Sequence, residues 1–233
     1  MIEIIPAVLP RSREDIEETV TRYVDTSIQT IQVDLVDGDF ASPKTWPYNS
    51  KNQHAEHKKL EEEGFPGWQD IDIELDLMIA NPLSQLEKFI EWGPSRIIIH
   101  ASSVDQKEYI SFLEKHRSVQ SFIHFGVAFG VEDKISDYAE LLSHIDFVQC
   151  MGIATVGKQG QGFDERVLSQ IKIVKRIVPE IPISVDGGVD SSTSQKLIDA
   201  GATRLVSGSY MSKSTNVEET IQTLAGEKTK SDL

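Results

Sequence analysis

The stretch "IQVDLVDGDF", residues 31–40, alternates apolar and polar residues and ends in an Asp-Gly turn signal. With a period of two, Ile31, Val33 and Leu35 share one face of a strand, while Gln32 and Asp34 share the other. A carboxylate on a buried strand is costly unless it is paired. This strand is therefore expected to carry part of a functional site. Working outward, short β-branched runs, this one included, lie at 2–9, 30–36, 71–79, 96–101, 121–129, 146–151, 182–186 and 203–208. Helical patterns separate them. One opens at Ser12 with Glu14 and Asp15 in its first turn, and one has Pro82 at its start. Another spaces Val167, Ile171 and Val174 along one face. Eight strands, each followed by a helix, predict an α/β fold: a single closed (β/α)8 TIM barrel over residues 1–225 with a polar tail at 226–233. An open doubly wound sheet is the alternative.

Bulk properties narrow the function. The chain has 233 residues, of which 39% are hydrophobic, and a net charge of −14. That charge argues against nucleic acid and anionic membranes as partners. It also means that an anionic ligand needs local donors. Cys150 is the one cysteine, so no internal disulfide forms, and it reads as a packed small hydrophobe. The start of the chain lacks a secretory pattern and no run is long enough to span a bilayer, so a cytoplasmic location is expected.

In such a barrel, chemistry sits at the C-terminal ends of the strands. The third strand puts Ile73, Leu75, Leu77 and Ile79 toward the helices, and Asp72, Glu74, Asp76 and Met78 toward the interior. Asp72 is expected near solvent, Glu74 in a barrel-floor ion pair, and Asp76 in the site. "SVDGGV" (184–189) ends a strand with Asp186 and follows it with Gly187 and Gly188; "SGSY" (207–210) does the same with Gly208 and Ser209. Glycines allow backbone N–H groups to approach a phosphate closely. The loop "GKQGQGF" (157–163), with Gly157 and Gly160, reads as a lid or a further wall of the phosphate cup, or as a plain loop. Its Lys158 is taken as the lysine of these loops. His54 and His57 are expected to be solvated, His116 and His144 to lie at helix ends, and His124 to be a satisfied interior residue. His100, ending the fourth strand, is within reach of the site. The long segment 41–70 is expected to include an excursion over the top of the barrel.

Together these residues resemble the ribulose-phosphate 3-epimerase family over nearly the whole chain. The likeness lies in Pro6-Ala7, "QVDLVDG" (32–38), "DLM" (76–78), "MGIATVGKQGQGF" (151–163), "VDGG" (185–188) and "SGS" (207–209). The resemblance implies a phosphate-binding barrel that inverts a carbon beside a carbonyl in a small phosphorylated sugar. It implies Asp34 and Asp186 as the acid–base pair. It also implies a divalent metal, held in the family by two histidines and these two aspartates.

The departures are concentrated at the metal. Gln32 and Asp76 stand where the family has histidines, Ala7 where it has serine, and Val36 where it has methionine. The set Gln32, Asp34, Asp76 and Asp186 consists of oxygen donors, which suit Mg or Mn better than Zn or Fe. The alternative is that the metal is absent and the polar side chains share protons or water. The leading reading is a sugar-phosphate epimerase. The others are a non-catalytic phosphate-ligand barrel, and a decarboxylase or aldol-type synthase, for which the Asp-x-Lys-x-x-Asp pattern is missing. A homo-oligomer is compatible with the family.

Overall fold

The computed structural model describes residues 2–156 and 161–227. Eight parallel strands close on themselves in sequential order. They are β1 (Glu3–Val8), β2 (Thr30–Val36), β3 (Asp72–Met78), β4 (Arg96–His100), β5 (His124–Phe129), β6 (Phe147–Met151), β7 (Ile183–Asp186) and β8 (Arg204–Ser207). The helices are α1 (Arg13–Tyr23), α2 (Gln53–Glu63), α3 (Leu86–Glu91), α4 (Gln106–Lys115), α5 (Arg166–Ile177), α6 (Ser194–Ala200), α7 (Ser209–Ser212) and α8 (Val217–Leu224). The single closed barrel matches the expectation, with one irregularity. Between β5 and β6 the described chain makes only short 3-10 turns, at Ile135–Tyr138 and Leu141–Ser143, where a full helix was expected.

Local sequence accounts for the helices. In α1, Glu14 and Asp15 occupy the first turn and Arg22 the last, complementing the helix dipole. Asp105 caps α4 by accepting from the N–H groups of Lys107 and Glu108. Val167, Ile171 and Val174 of α5 are fully buried, as their spacing predicts. The main apolar core lies between sheet and helices and includes Ile31, Val33 and Leu35 of β2 and Ile73, Leu75 and Leu77 of β3. Cys150 is in that core, where burial pushes its thiol up to about 12. A smaller cluster, including Ile98, Ala128, Phe147 and Met151, fills part of the barrel interior.

The barrel floor is ionic. Glu74, fully buried, pairs with Arg204; Arg204 Nε is 3.2 Å from Glu3, and Arg96 is 2.9 Å from Glu3 and 3.8 Å from Glu74. Thr30 donates to Glu3, and the Arg204 guanidinium lies 4.5 Å from the Phe147 ring centroid. Two carboxylates and two guanidiniums balance, so the buried charge is tolerated. Asp72, one residue pair below, is exposed. His124 is not interior: it opens β5 at the exposed floor side, 3.9 Å from Asp146, because a strand's first residue lies beyond the packed layer. His57 is only partly exposed, wedged edge-on between Tyr48 and Trp92. His116 and His144 do sit at helix ends.

Arg204→Met should cost about 3–5 kcal/mol in chemical denaturation, because it strands Glu74 without its nearest cation. The double variant Glu74→Leu/Arg204→Met should recover most of that loss. A single-variant cost below about 1 kcal/mol would show that the floor pair contributes little.

Candidate active site

Period-two alternation aims Gln32 and Asp34 of β2 and Asp76 of β3 into the barrel. Register pairs Asp34 with Asp76 on the adjacent strand. Asp186 arrives from β7 across the mouth. The three aspartates each offer an oxygen within 4.8 Å of the others. Gln32 and Asp76 are fully buried and Asp34 nearly so; Asp34 and Asp186 line a cavity of about 750 Å³ at the mouth. Gln32 and Asp76 form the layer behind them.

Amide and imidazole nitrogens hold this charge. Gln32 Nε2 donates to Asp34 at 2.8 Å and to Asp186 at 3.1 Å, bridging the two. Asp76 is held from two sides, by Gln149 Nε2 at 3.1 Å and His100 Nε2 at 2.9 Å. Gln149, in β6, was not recognised in the sequence as part of the site. A glutamine on an inward strand position is the signal that could have found it. Phe40, from the Asp-Gly turn after β2, packs on His100 with ring centroids 5.1 Å apart.

The segment after β2 braces the site. Thr45 donates to the Asp34 carbonyl and accepts from the Val36 N–H, both at 2.8 Å. Asp37 accepts from the N–H groups of Asp39, Phe40 and Ala80, fixing the turn against the end of β3. The expected excursion in 41–70 is thus a clamp on the top of β2 followed by α2.

The cup residues also meet at the mouth. Gly187 and Gly188 both have positive φ, a conformation that favours glycine. A Cβ on Gly188 would come within 2.8 Å of Phe163 Cα. Thr193 donates to the Gly188 carbonyl, and Ser207 to that of Val189, so the loops after β7 and β8 are tied together. Gly187, Gly188, Gly208 and Ser209 all line the cavity. Gly157, Lys158 and Gly160 lie outside the described residues. Lys213, four residues beyond Ser209, also lines the cavity, so Lys158 does not stand alone as a candidate cation.

Burial, then repulsion from Asp186 and Asp76, pushes the Asp34 carboxyl well above the usual range. Burial, then repulsion from Asp76, raises Asp186 to about 7, against the opposing influence of Gln32 and His100. The arrangement can hold and exchange a proton at neutral pH.

The profile of the ribulose-phosphate 3 epimerase family matches residues 3–212. The chain is 31% identical to a ribulose-phosphate 3-epimerase of Chlamydia pneumoniae over 167 residues, covering 68% of this chain and 70% of that protein. It is 26% identical to the Bacillus subtilis ribulose-phosphate 3-epimerase over 236 residues, covering 98% of this chain and all of that one. Among solved structures, KGPDC from Streptococcus mutans superposes with a TM-score of 0.65 at 12% identity, covering 97% of each chain. The 3-hexulose-6-phosphate synthase of Salmonella typhimurium superposes at 0.66 and 13% identity, also covering 97% of each. These two likenesses concern the fold. The chain belongs to the ribulose-phosphate 3-epimerase family.

A carboxyl whose folded pKa is raised binds more protons folded than unfolded. Its stability contribution is present at low pH and is lost as pH rises from about 4 toward 7. Without added divalent cation, Asp186→Asn should therefore gain melting temperature relative to the parent as pH rises from about 5 to 8. A difference that stays constant, or falls, across that range would contradict the repulsive cluster.

Proposed function

We propose that this member of the ribulose-phosphate 3-epimerase family is a sugar-phosphate epimerase acting beside the carbonyl of a ketose phosphate. Asp34 and Asp186 are the acid–base pair. The observation that carries this reading is their placement at the ends of β2 and β7, facing one cavity next to the glycine cup. One aspartate removes the proton from the carbon beside the carbonyl, and the other delivers a proton to its opposite face. Inversion requires that two-sided arrangement. Burial and mutual repulsion favour one of the pair keeping a proton at neutral pH, as an acid–base couple needs.

The phosphate is assigned to the backbone around Gly187, Gly188, Gly208 and Ser209. Backbone N–H donors bind it without side-chain cations, which suits a chain of net charge −14. Thr45 and Gln32 orient Asp34, and Gln149 and His100 orient Asp76.

The residues present fit a divalent cation. Three carboxylates converge, and the buried Oε1 atoms of Gln32 and Gln149 have no hydrogen-bond partner. Gln32, Asp34, Asp76 and Asp186 would hold it, and an oxygen-donor set favours Mg or Mn over Zn or Fe. When bound, such an ion would stabilise negative charge developing on the substrate oxygen. A second reading, a phosphate-ligand barrel without turnover, is favoured by one observation. The Gln32 amide already bridges Asp34 and Asp186 with neutral hydrogen bonds. On either reading the ligand is a small phosphorylated sugar. A cytoplasmic location and a homo-oligomeric state complete the proposal.

Asp186→Asn should lower epimerisation of a ketose phosphate by roughly 10²–10⁴-fold, the usual scale for a positioned proton-transfer group. Phosphate binding should persist, because the cup consists of other residues. Turnover within about tenfold of the parent would remove Asp186 from the proton-transfer role.

A further inference from the structure

Three consecutive residues at the end of β7 carry two different tasks in the reading above. Asp186 supplies an acid–base carboxyl, and Gly187 and Gly188 supply part of the phosphate cup. A glycine pair is the most permissive backbone a chain can have. Left to itself it would let the cup shift relative to the carboxyl, so the two have to be fixed together from elsewhere.

Each of the three residues is held from the segments that flank the loop after β6. Register pairs Met151 with Asp186, and one residue further on the Gly152 N–H donates to the Asp186 carbonyl at 2.7 Å. Ile153 is buried and packs on Gly187, where an added Cβ would lie 2.7 Å from Ile153 Cγ1. The returning chain meets Gly188, where an added Cβ would lie 2.8 Å from Phe163 Cα. That return is itself tied down. The Asp164 N–H donates to the Gly152 carbonyl at 2.8 Å, and Arg166 Nε donates to Asp164 at 3.0 Å. Phe163 packs against the core between sheet and helices. Gly152 is the meeting point, since its N–H holds Asp186 and its carbonyl holds the chain that props Gly188. A side chain does not fit there: a Cβ would run into the Gly187 carbonyl oxygen, a backbone atom that cannot turn aside.

The consequence is chemical. A ketose phosphate held at both ends reacts only if its phosphate lies as far from the reacting carbon as the cup lies from the carboxyl. A misplacement of about 1 Å costs on the order of 10²-fold in rate. One further carbon between carbonyl and phosphate adds a bond of about 1.5 Å, which exceeds that tolerance. We propose that Gly152 and Phe163 are positioning residues that fix the spacing between the Asp186 carboxyl and the phosphate cup, and that this spacing selects ketose phosphates by chain length. This rests on the epimerase reading and adds to it the residues that set its specificity.

Solvent deuterium exchange at C3 of D-ribulose 5-phosphate and of D-fructose 6-phosphate tests it, because the second places its phosphate one carbon further out. Affinity for inorganic phosphate is measured alongside by calorimetry. The parent should prefer one of the two sugars by at least about tenfold. Gly152→Ala and Phe163→Ala should each slow exchange of the preferred sugar by roughly 10–10²-fold and bring the two rates within about threefold of each other. Inorganic phosphate affinity should stay within about threefold of the parent, because the cup itself persists. Phe163→Leu, which keeps an apolar anchor in the core, should restore the parent preference. Phe163→Ala adds no clash, so it decides the matter if Gly152→Ala does not fold. A parent without preference would overturn the spacing role. So would variants that lose both sugars equally, or that lose phosphate affinity in step with exchange, as a merely structural role would have it. A parent that binds inorganic phosphate but exchanges neither sugar would remove the epimerase reading, and this inference with it. A parent that does not bind inorganic phosphate would remove the cup, with the same result.

Discussion

Three carboxylates confined to one buried mouth are the constraint around which this barrel is organised. Unpaired, they would repel one another and resist burial. The chain answers with side-chain nitrogens from neighbouring strands: the Gln32 amide between Asp34 and Asp186, and the Gln149 amide and His100 ring on Asp76. These come from β2, β4 and β6, so closure of the whole barrel is needed to assemble them. The floor solves the same problem differently, with Arg96 and Arg204 balancing Glu3 and Glu74. Full compensation makes the floor a structural element. Partial compensation leaves the mouth able to exchange protons.

That contrast shows two ways in which one barrel buries carboxylates. Carboxylates gathered this closely can be compensated by amides, by imidazole or by a hard cation. Gln32 and Gln149 are suited to either situation, since an amide presents its nitrogen to a carboxylate or its oxygen to a cation. The clamp of Thr45 on the backbone at Asp34 and Val36 keeps β2 in place in both.

Much of this was legible in the sequence because the barrel repeats simple periods. The eight strands, the helix-facing and interior faces of β3, the ionic role of Glu74 and the convergence of Asp34, Asp76 and Asp186 all follow from period-two alternation. Three things were not legible. The 3-10 turns between β5 and β6 replace a helix in a stretch whose spacing does not distinguish them. His124 shares a face with Gly126 and Ala128 but falls at the strand's first, exposed position, which a face assignment does not register. Gln149 joins the site through a contact to Asp76 across 73 residues of chain, and no local pattern encodes such a pairing. The comparisons place the chain in its family, while the roles of its site residues rest on the chemistry of their arrangement.

The most direct test of the central claim is proton exchange itself. The chain would be incubated with D-ribulose 5-phosphate in deuterated water, with and without Mg²⁺ or Mn²⁺, and deuterium at C3 followed by NMR. The predicted result is incorporation at C3 that depends on both Asp34 and Asp186. Tight binding of the phosphate ester with no exchange under any of these conditions would contradict it, and would leave a phosphate-binding barrel without the epimerase chemistry.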